Sequence, residues 1–293
     1  MIRTAVRCAA NAIGFDVHRF SKAGGRGNYH VDDYYPVDLI PRWGHGKPPH
    51  PQITAILNQQ REEFLAVLRQ LSACCGLLAS IPEESTANSV TPFWKNAFFE
   101  SLDAAALVGM LCAKKPARYV EIGSGNSTKF ARYAIEQMHL RTSITSIDPE
   151  PRAIINSLCD RVVRRRLEDC DLSFFDQLEP GDFLSFDGTH RVFTNSDATV
   201  FYLEVMPRVK PGIIIHVHDI HLPWDYNPDW NTRMYSEQYL LAAMLLCPRP
   251  MFKVLLPNHF ICHQDPELSI HARAILEPFG QAAFGGSFWM EKI

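Results

Sequence analysis

The sequence predicts an α/β protein, in which an N-terminal helical extension precedes a doubly wound, mostly parallel seven-stranded sheet with an antiparallel last strand pair. Three observations support this fold class. Strand-like and helix-like runs alternate from residue 118 onward, which is typical of a parallel sheet covered on both faces. Residues 213–217 (Ile-Ile-Ile-His-Val) are almost wholly apolar, as a strand buried on both faces should be. The last two strand patterns have no strong helical pattern between them, which favours an antiparallel pair.

The residue pattern of the first part of the chain predicts an extension that lies outside the sheet. Residues 20–52 are rich in glycine and proline, which predicts a looped connection. Apolar residues at helical spacing over 53–80 predict a helix with one buried face, which Pro82 ends. We therefore expect residues 1–92 to form a loop and helical extension, and residues 93–293 to form the sheet domain.

The sheet domain is expected to begin with a helix near 101–112 and then to alternate. Strands are expected near 118–122, 143–147, 161–164, 182–187, 212–218, 252–256 and 286–291. Helices are expected near 127–139, 150–158, 172–178, 197–208 and 235–246. In an open parallel sheet the ligand binds at the carboxyl ends of the strands. The predicted strand ends are therefore the places to look for functional residues.

Residues 118–135 predict a strand, a tight glycine turn and a helix. Gly123 and Gly125 allow the backbone to turn sharply and to approach a ligand closely. Ser127 and Thr128 supply side-chain oxygens that suit the first turn of the following helix. A strand–glycine–helix unit of this kind is typical of a nucleoside-binding pocket.

Two acids indicate which nucleoside the pocket takes. Asp148 ends the second predicted strand, 23 positions after Gly125, where an acid can accept hydrogen bonds from ribose hydroxyls. A dinucleotide fingerprint needs a third glycine at the position of Thr128. Glu121 precedes the turn, where its carboxylate would oppose a pyrophosphate but suit the ammonium group of a methionine-type tail. S-adenosylmethionine therefore fits these residues better than NAD.

Four segments of the chain resemble the class I S-adenosylmethionine-dependent methyltransferases. They are Glu121-Ile-Gly-Ser-Gly125, Ser146-Ile-Asp148-Pro, Phe186-Asp187-Gly-Thr-His190 and His216-Val-His-Asp219. Within these enzymes, the chain resembles the branch that includes sugar O-methyltransferases and cephalosporin-hydroxylase-like proteins. The resemblance covers roughly residues 95–293 and implies an antiparallel last strand pair.

The motifs and the resemblance together give a set of expected cofactor contacts. The resemblance places adenine contacts at Leu167 and Glu168, although Glu168 also suits a surface ion pair with a neighbouring arginine. The expected cofactor-binding residues are Glu121, Gly123, Ser124, Gly125, Ser127, Asp148, Leu167, Glu168 and Asp187.

A divalent metal ion is a second expected ligand. Asp187, His218 and Asp219 follow the fourth and fifth predicted strands, so they should converge at one edge of the sheet. In the related sugar O-methyltransferases, acids at these two strand ends hold magnesium. This chain has His218 where that site uses a carboxylate, which leaves open magnesium, a softer metal or no metal.

Methyl transfer to an alcohol requires alignment of the nucleophile with the methyl group and removal of a proton. Histidine has a pKa that suits this proton transfer near neutrality. The candidate catalytic residues are His190, His218 and Asp187, with His221 as a further candidate. His216 alternates with His218 along one strand and is more simply a hydrogen-bonded core histidine.

Composition limits the partners and the location. The 29 basic and 32 acidic residues give a formal net charge of −3, which provides no electrostatic reason to expect nucleic acid as a partner. No apolar run is long enough for a membrane span. The eight cysteines form no Cys-x-x-Cys motif, which suggests reduced thiols and a cytoplasmic protein.

The sequence therefore predicts an S-adenosylmethionine-dependent methyltransferase acting on a hydroxyl of a sugar, glycan or small natural product. Two alternatives stay open: a metal-dependent enzyme of other chemistry, and a non-catalytic binding protein with the same fold. The role of residues 1–92 is open between acceptor capture and formation of a homodimer.

Overall fold

The computed structural model describes residues 39–86, 89–99 and 101–293. Residues Ile40–Ile293 form one compact unit. Most of the predicted loop over residues 20–52 lies outside the described residues, and the boundary expected after residue 92 stays a prediction. None of the helices in the described ranges combines the length and apolar character needed to cross a bilayer.

Seven strands form one sheet in the order β3-β2-β1-β4-β5-β7-β6. The strands are β1 Arg118–Ile122, β2 Ser143–Ile147, β3 Arg161–Val163, β4 Phe183–Phe186, β5 Ile214–Val217, β6 Phe252–Pro257 and β7 Phe288–Lys292. Strands β1 to β5 pair in parallel, and β7 runs antiparallel between β5 and β6. The predicted fold class, including the antiparallel last pair, is confirmed.

Helices cover the sheet, and the first helices of the chain form an extension that precedes it. They are α1 Pro51–Asn58, α2 Arg61–Ser72, α3 Cys75–Leu78, α4 Ser101–Lys114, α5 Asn126–Gln137, α6 Asp197–Val200, α7 Met206–Arg208, α8 Glu237–Leu245, α9 Asn258–His263 and α10 Pro266–Leu276. A π-helical turn, Phe201–Val205, joins α6 to α7. Helix α4 is buried over all but its last residues, and it packs against α2 and α5.

The single helix predicted over 53–80 is divided into α1, α2 and α3. The first break falls at Gln59 and Gln60, where the Gln60 side chain accepts a hydrogen bond of 3.0 Å from the backbone of Val254 in β6. This contact docks the extension onto the edge of the sheet.

Three further predictions of secondary structure are wrong. The helix expected over 150–158 is only a 3₁₀ turn, Asn156–Leu158, and Pro151 disfavours the helical conformation of Glu150, which precedes it. The segment expected as a helix over 172–178 is a 3₁₀ helix, Leu172–Gln177.

The third error concerns the segment between the last two strands, which was expected to lack a strong helix. It contains α9 and α10. Asp265 caps α10 by accepting from the backbone of Glu267 and Leu268 at 3.0 Å each, and Pro266 occupies the first turn. Strand β7 nevertheless pairs antiparallel with both β5 and β6.

Candidate active site

The candidate site lies where four neighbouring parallel strands end. The register pairs Ile122 with Ile147 and with Phe186, and it pairs Phe186 with Val217. The chain leaves β1, β2, β4 and β5 at the same level, so the residues that follow these strands share one edge of the sheet. Most of the site residues predicted from the sequence follow these four strands, and in the structure they lie close together.

The turn after β1 accepts only glycine at its first position. Gly123 has a φ of 79°, and a Cβ atom added to it would lie 1.9 Å from the backbone oxygen of Asp187. The backbone just after β4 therefore packs directly against this turn and leaves no room for a side chain at Gly123. A Cβ atom added to Gly125 would meet nothing within 4 Å, so the second glycine faces open space.

Glu121 lies fully buried beneath this turn. Its carboxylate accepts hydrogen bonds from the Tyr119 hydroxyl at 2.8 Å and from the Thr128 hydroxyl. The Thr128 oxygen in turn accepts from the backbone of Gly125 at 3.1 Å, which satisfies a donor at the start of α5. Burial raises the pKa of Glu121 to about 7, although the hydroxyls of Ser127, Thr128 and Tyr119 oppose that shift.

Asp148 is held rigidly at the end of β2. Its two carboxylate oxygens accept from the backbone of Ser124 at 2.8 Å and of Glu150 at 2.7 Å. The side chain of Arg164 donates to the backbone oxygen of Asp148 at 2.9 Å and to the Ser146 hydroxyl at 3.1 Å. Each carboxylate oxygen can accept a second hydrogen bond, so Asp148 retains capacity for ribose hydroxyls.

The two residues expected near adenine follow β3 in a 3₁₀ turn, Leu167–Asp169. Leu167 is buried, and Glu168 Oε1 lies 3.6 Å from a guanidinium nitrogen of Arg166. Glu168 Oε2 is buried without a hydrogen-bond partner among the described residues. The ion pair between Glu168 and Arg166 is therefore present but long. The contact of Leu167 and Glu168 with adenine stays a prediction.

The three expected metal ligands converge. Asp187, His218 and Asp219 each offer one ligand atom, and these atoms all lie within 4.8 Å of one another. His218 Nδ1 lies 3.6 Å from Asp187 Oδ1 and 3.5 Å from Asp219 Oδ1. Asp219 adopts a left-handed φ of 56°, a backbone strain that is common at functional sites.

His190 faces the same two acids from the other side. Its Nε2 atom lies 3.2 Å from Asp187 Oδ1 and 3.4 Å from Asp219 Oδ2, while its Nδ1 atom lies 2.8 Å from Glu237 Oε1. Glu237 is fully buried on α8, and its second carboxylate oxygen has no hydrogen-bond partner among the described residues. Glu237 therefore fixes one ring nitrogen of His190 and directs the other toward Asp187 and Asp219.

The same arrangement recurs behind His218. Its Nε2 atom lies 3.2 Å from Oδ2 of Asp103, a buried acid on α4. Asp103 also accepts hydrogen bonds from the side chain of Asn258 at 2.7 Å and from the backbone of Gly286 at 2.9 Å and Ser287 at 2.8 Å. Two buried carboxylates thus stand behind the two imidazoles, and two carboxylates stand in front of them.

These contacts set the charges of the cluster. Burial by itself would raise the pKa of Asp187, but the neighbouring imidazoles of His218 and His190 hold it well below its ordinary value. Burial by itself would lower the pKa of both histidines. The negative charge of Glu237 for His190, and of Asp187 and Asp219 for His218, instead raises each pKa well above its ordinary value. The cluster is therefore a set of acids compensated by imidazolium groups.

The other two histidines of this region belong to the packing. Burial lowers the pKa of His216 to about 3, and its two ring nitrogens pair with the hydroxyls of Ser185 and Ser287 at 2.8 Å each. This is the hydrogen-bonded core histidine that the sequence favoured. Burial lowers the pKa of His221 to about 4, and its ring stacks on His259 with centroids 4.9 Å apart.

The aromatic residues after β5 pack against one another. The ring centroid of Tyr226 lies 6.5 Å from that of Trp230 and 5.8 Å from that of Tyr235. Trp224 lies 5.0 Å from His259 on α9. These contacts pack the aromatic side chains of the loop against one another and against α9.

Sequence reasoning left Asp103 and Glu237 out of the candidate site. Both lie on helices, far along the chain from the histidines that they contact. A signal for Asp103 was present, because it is an acid in a helical segment that is otherwise almost wholly apolar. Glu237 lies at the start of a predicted helix, from which it could point inward.

Comparison with known proteins supports the family resemblance. Residues 120–220 match a protein family described as Methyltransferase domain. This region begins in β1 and ends just after Asp219, so it contains the glycine turn, Asp148 and the acid–histidine cluster. The resemblance to class I S-adenosylmethionine-dependent methyltransferases is confirmed, and the narrower branch with the sugar O-methyltransferases stays a prediction.

Proteins similar to the chain include a curated relative and two solved structures. An uncharacterized protein of Archaeoglobus fulgidus is 31% identical over 130 residues, which are 42% of this chain and 58% of that protein. The chain therefore spans less than two thirds of that relative's length.

The plantazolicin methyltransferase BpumL in complex with SAH is 14% identical, with a TM-score of 0.39, over 81% of this chain and 99% of that chain. The SAH-bound methyltransferase PaMTH1 of Podospora anserina is 13% identical, with a TM-score of 0.40, over 90% of this chain and 100% of that chain. Because these identities and TM-scores are low, the function is inferred from the sheet topology and the side chains of this chain itself.

Proposed function

We propose that this protein, whose residues 120–220 match a methyltransferase domain, transfers the methyl group of S-adenosylmethionine to a hydroxyl of a sugar or small natural product. The observation that carries the proposal is the joint placement of two sites at one sheet edge. A glycine turn with open space at Gly125 lies beside the fixed carboxylate of Asp148, and Asp187 connects the turn to the histidine cluster.

The proposed cofactor runs across the ends of β1, β2 and β3. Its ribose hydroxyls bind Asp148, its adenine lies near Leu167 and Glu168, and its methionine part lies over the turn of Gly123, Ser124 and Gly125. Glu121 is fully buried beneath that turn and already bonded to Thr128 and Tyr119. We therefore assign Glu121 an electrostatic effect on the ammonium group rather than a direct contact, with Ser127 supporting its carboxylate.

The proposed reaction is an in-line displacement at the sulfonium methyl group, in which alignment supplies much of the rate enhancement. The acceptor hydroxyl must also lose a proton. His190 is placed best to take it, once the positive charge of a bound sulfonium or cation beside Asp187 and Asp219 has lowered the pKa of the imidazole and released its own proton. A proton that arrives at Nε2 of His190 is stabilised by Asp187 and Asp219, and Glu237 holds the opposite nitrogen. The negative charge of Asp187, which faces both His190 and His218, offsets the positive charge that results.

Asp187, His218 and Asp219 are also the proposed ligands of a divalent cation. Their oxygen and nitrogen atoms lie close enough together for one ion, and the two clustered carboxylates require positive charge. A bound divalent cation would lower the pKa of a coordinated acceptor hydroxyl. The imidazole in this set departs from the oxygen-only coordination that magnesium prefers.

One specific observation favours a second function. The acid–histidine cluster would also serve a metal-dependent enzyme of other chemistry, because two carboxylates and an imidazole are common ligands of iron and zinc. That enzyme would retain iron or zinc through purification and would turn over without a methyl donor. A third alternative, a non-catalytic binding protein, would bind the cofactor and consume none of it.

A donor-consumption screen separates these functions. The purified chain is incubated with S-adenosylmethionine and mixtures of sugars, glycans and phenolic or polyketide alcohols, and formation of S-adenosylhomocysteine is measured. The proposal predicts acceptor-dependent product formation that is lost in His190→Ala. Binding of S-adenosylhomocysteine without any turnover would favour the non-catalytic alternative. A cytoplasmic location, absence of nucleic acid partners and a homodimer stay predictions.

A further inference from the structure

The buried carboxylate of Asp103 is saturated with hydrogen-bond donors. It receives one side-chain amide from Asn258 and two backbone N–H groups from Gly286 and Ser287, at 2.7 to 2.9 Å. Backbone and side-chain amide N–H groups can only donate, so both oxygens of Asp103 act as hydrogen-bond acceptors.

Because its oxygens are hydrogen-bond acceptors, Asp103 fixes the orientation of the His218 ring. Because a carboxylate cannot donate, the nitrogen that lies 3.2 Å from it must carry a hydrogen, so Nε2 of His218 is the N–H nitrogen. The opposite nitrogen, Nδ1, then points at Asp187 Oδ1 and Asp219 Oδ1, at 3.6 and 3.5 Å. These distances exceed the range of about 2.7–3.2 Å for N–H···O bonds.

The same distances fit ligands around one cation. With metal–ligand bonds of about 2.0–2.1 Å, neighbouring atoms of a tetrahedral site lie roughly 3.3–3.4 Å apart. The two contacts of His218 Nδ1 are close to that value. His190 Nε2 lies at similar distances, 3.2 and 3.4 Å, from the same two carboxylates. The imidazole nitrogens and the carboxylate oxygens are therefore close enough together to surround one cation.

We propose that Asp103 positions His218 so that its Nδ1 atom, together with Asp187 and Asp219, binds a divalent first-row transition cation such as manganese, iron, cobalt or zinc in preference to magnesium. Imidazole is a good ligand for these cations, whereas magnesium prefers oxygen ligands alone. A buried carboxylate behind a metal-binding imidazole is a recurring arrangement that fixes the ring and makes it a better ligand. This inference deepens the cation part of the proposed function.

Cobalt binding to the full chain tests the inference without any methyl acceptor. The protein is treated with chelator and titrated with Co²⁺, and the visible d–d absorption of bound cobalt is recorded. We expect one cobalt per chain, and a hundredfold excess of Mg²⁺ should leave the spectrum unchanged. Asp103→Asn should weaken cobalt binding by about 10- to 100-fold and alter the band positions. His218→Ala should also lose affinity, and it keeps the hydrogen bonds of Asp103 to Gly286 and Ser287.

Asp182→Asn is the matched control. Asp182 is a similarly buried acid that accepts from the backbone of Arg118 at 2.9 Å and of Glu179 at 3.0 Å, at the opposite end of the sheet. It should bind cobalt as the unchanged protein does.

The inference is overturned if Mg²⁺ displaces cobalt at comparable concentrations, if no cobalt spectrum forms, or if either Asp103→Asn or His218→Ala binds cobalt normally. Calorimetry with S-adenosylhomocysteine is a separate measurement on the same samples. Failure of the methyltransferase proposal would appear there and not in the cobalt titration.

Discussion

The Nδ1 atom of His190 lies 2.8 Å from Oε1 of Glu237, an acid 47 positions later in the chain that is fully buried. Burial would lower the pKa of His190, but the charge of Glu237 and the hydrogen bonds to Asp187 and Glu237 raise it. We therefore expect His190 to be protonated at neutral pH in the ligand-free protein and to hold its proton to higher pH than a free histidine.

Replacing Glu237 with glutamine removes the charge and keeps the shape. The pKa of His190 should fall, because burial then outweighs the remaining partners. Long-range ¹H–¹⁵N NMR of the imidazole nitrogens follows this titration directly. Glu204→Gln, which changes an exposed acid, is the control and should leave the titration unchanged. A neutral His190 at pH 7 in the unchanged protein would contradict this assignment.

The two glycines of the turn should respond to alanine in opposite ways. Gly123→Ala places a methyl group against the backbone of Asp187 at a φ of 79°, which should destabilise the fold by about 3 kcal/mol. Gly125→Ala meets no protein atom within 4 Å, so the fold should persist. The added methyl group would instead occupy the space of the cofactor and weaken its binding. Thermal unfolding and calorimetry measure the two effects, and normal cofactor affinity in Gly125→Ala would mean that the open space has another use.

The stability of the protein should depend on pH through Glu121. Burial raises its pKa from 4.5 to about 7 in the folded state, so the folded protein binds this proton more tightly than the unfolded chain. The contribution of Glu121 is fully present below about pH 4.5 and is lost as the pH rises through about 7; it amounts to about 3 kcal/mol at most.

Glutamine at this position does not titrate. Relative to the unchanged protein, Glu121→Gln should therefore be more stable at pH 8 than it is at pH 5, as measured by urea unfolding at both values. An equal difference at the two pH values would show that Glu121 is ionised throughout.

Asp148→Ala should weaken binding of S-adenosylhomocysteine by about 10- to 100-fold, since hydrogen bonds to a charged group contribute about 1.5–3 kcal/mol. Asp160→Ala is the control, because Asp160 lies at the opposite end of β2, where it accepts from the backbone of Ile144 at 2.8 Å. Calorimetry should show unchanged affinity in the control. Equal affinities in the two variants would place the ribose elsewhere.

The part of the site that the sequence predicted is the part encoded locally. Gly123 and Gly125 follow an apolar strand directly, and their role depends on backbone geometry alone. Asp187, His218 and Asp219 were predictable because parallel strands end at a common edge, which converts positions in sequence into proximity in space.

The rest depends on packing between distant segments. Asp103 meets His218 across 115 positions, and it meets Gly286 and Ser287, just before β7, across more than 180. The helix over Pro266–Leu276 does have a local signal in Asp265-Pro266, because an aspartate cap followed by proline is typical of a helix start. The segment over 150–158 carries a local signal against a helix in Pro151, which disfavours the helical conformation of Glu150.

Calorimetric titration of S-adenosylhomocysteine into the full chain tests the proposed cofactor site most directly. The account predicts saturable binding with one ligand per chain, reduced in Gly125→Ala and Asp148→Ala and retained in Asp160→Ala. The absence of both heat and thermal stabilisation in the unchanged protein would contradict it.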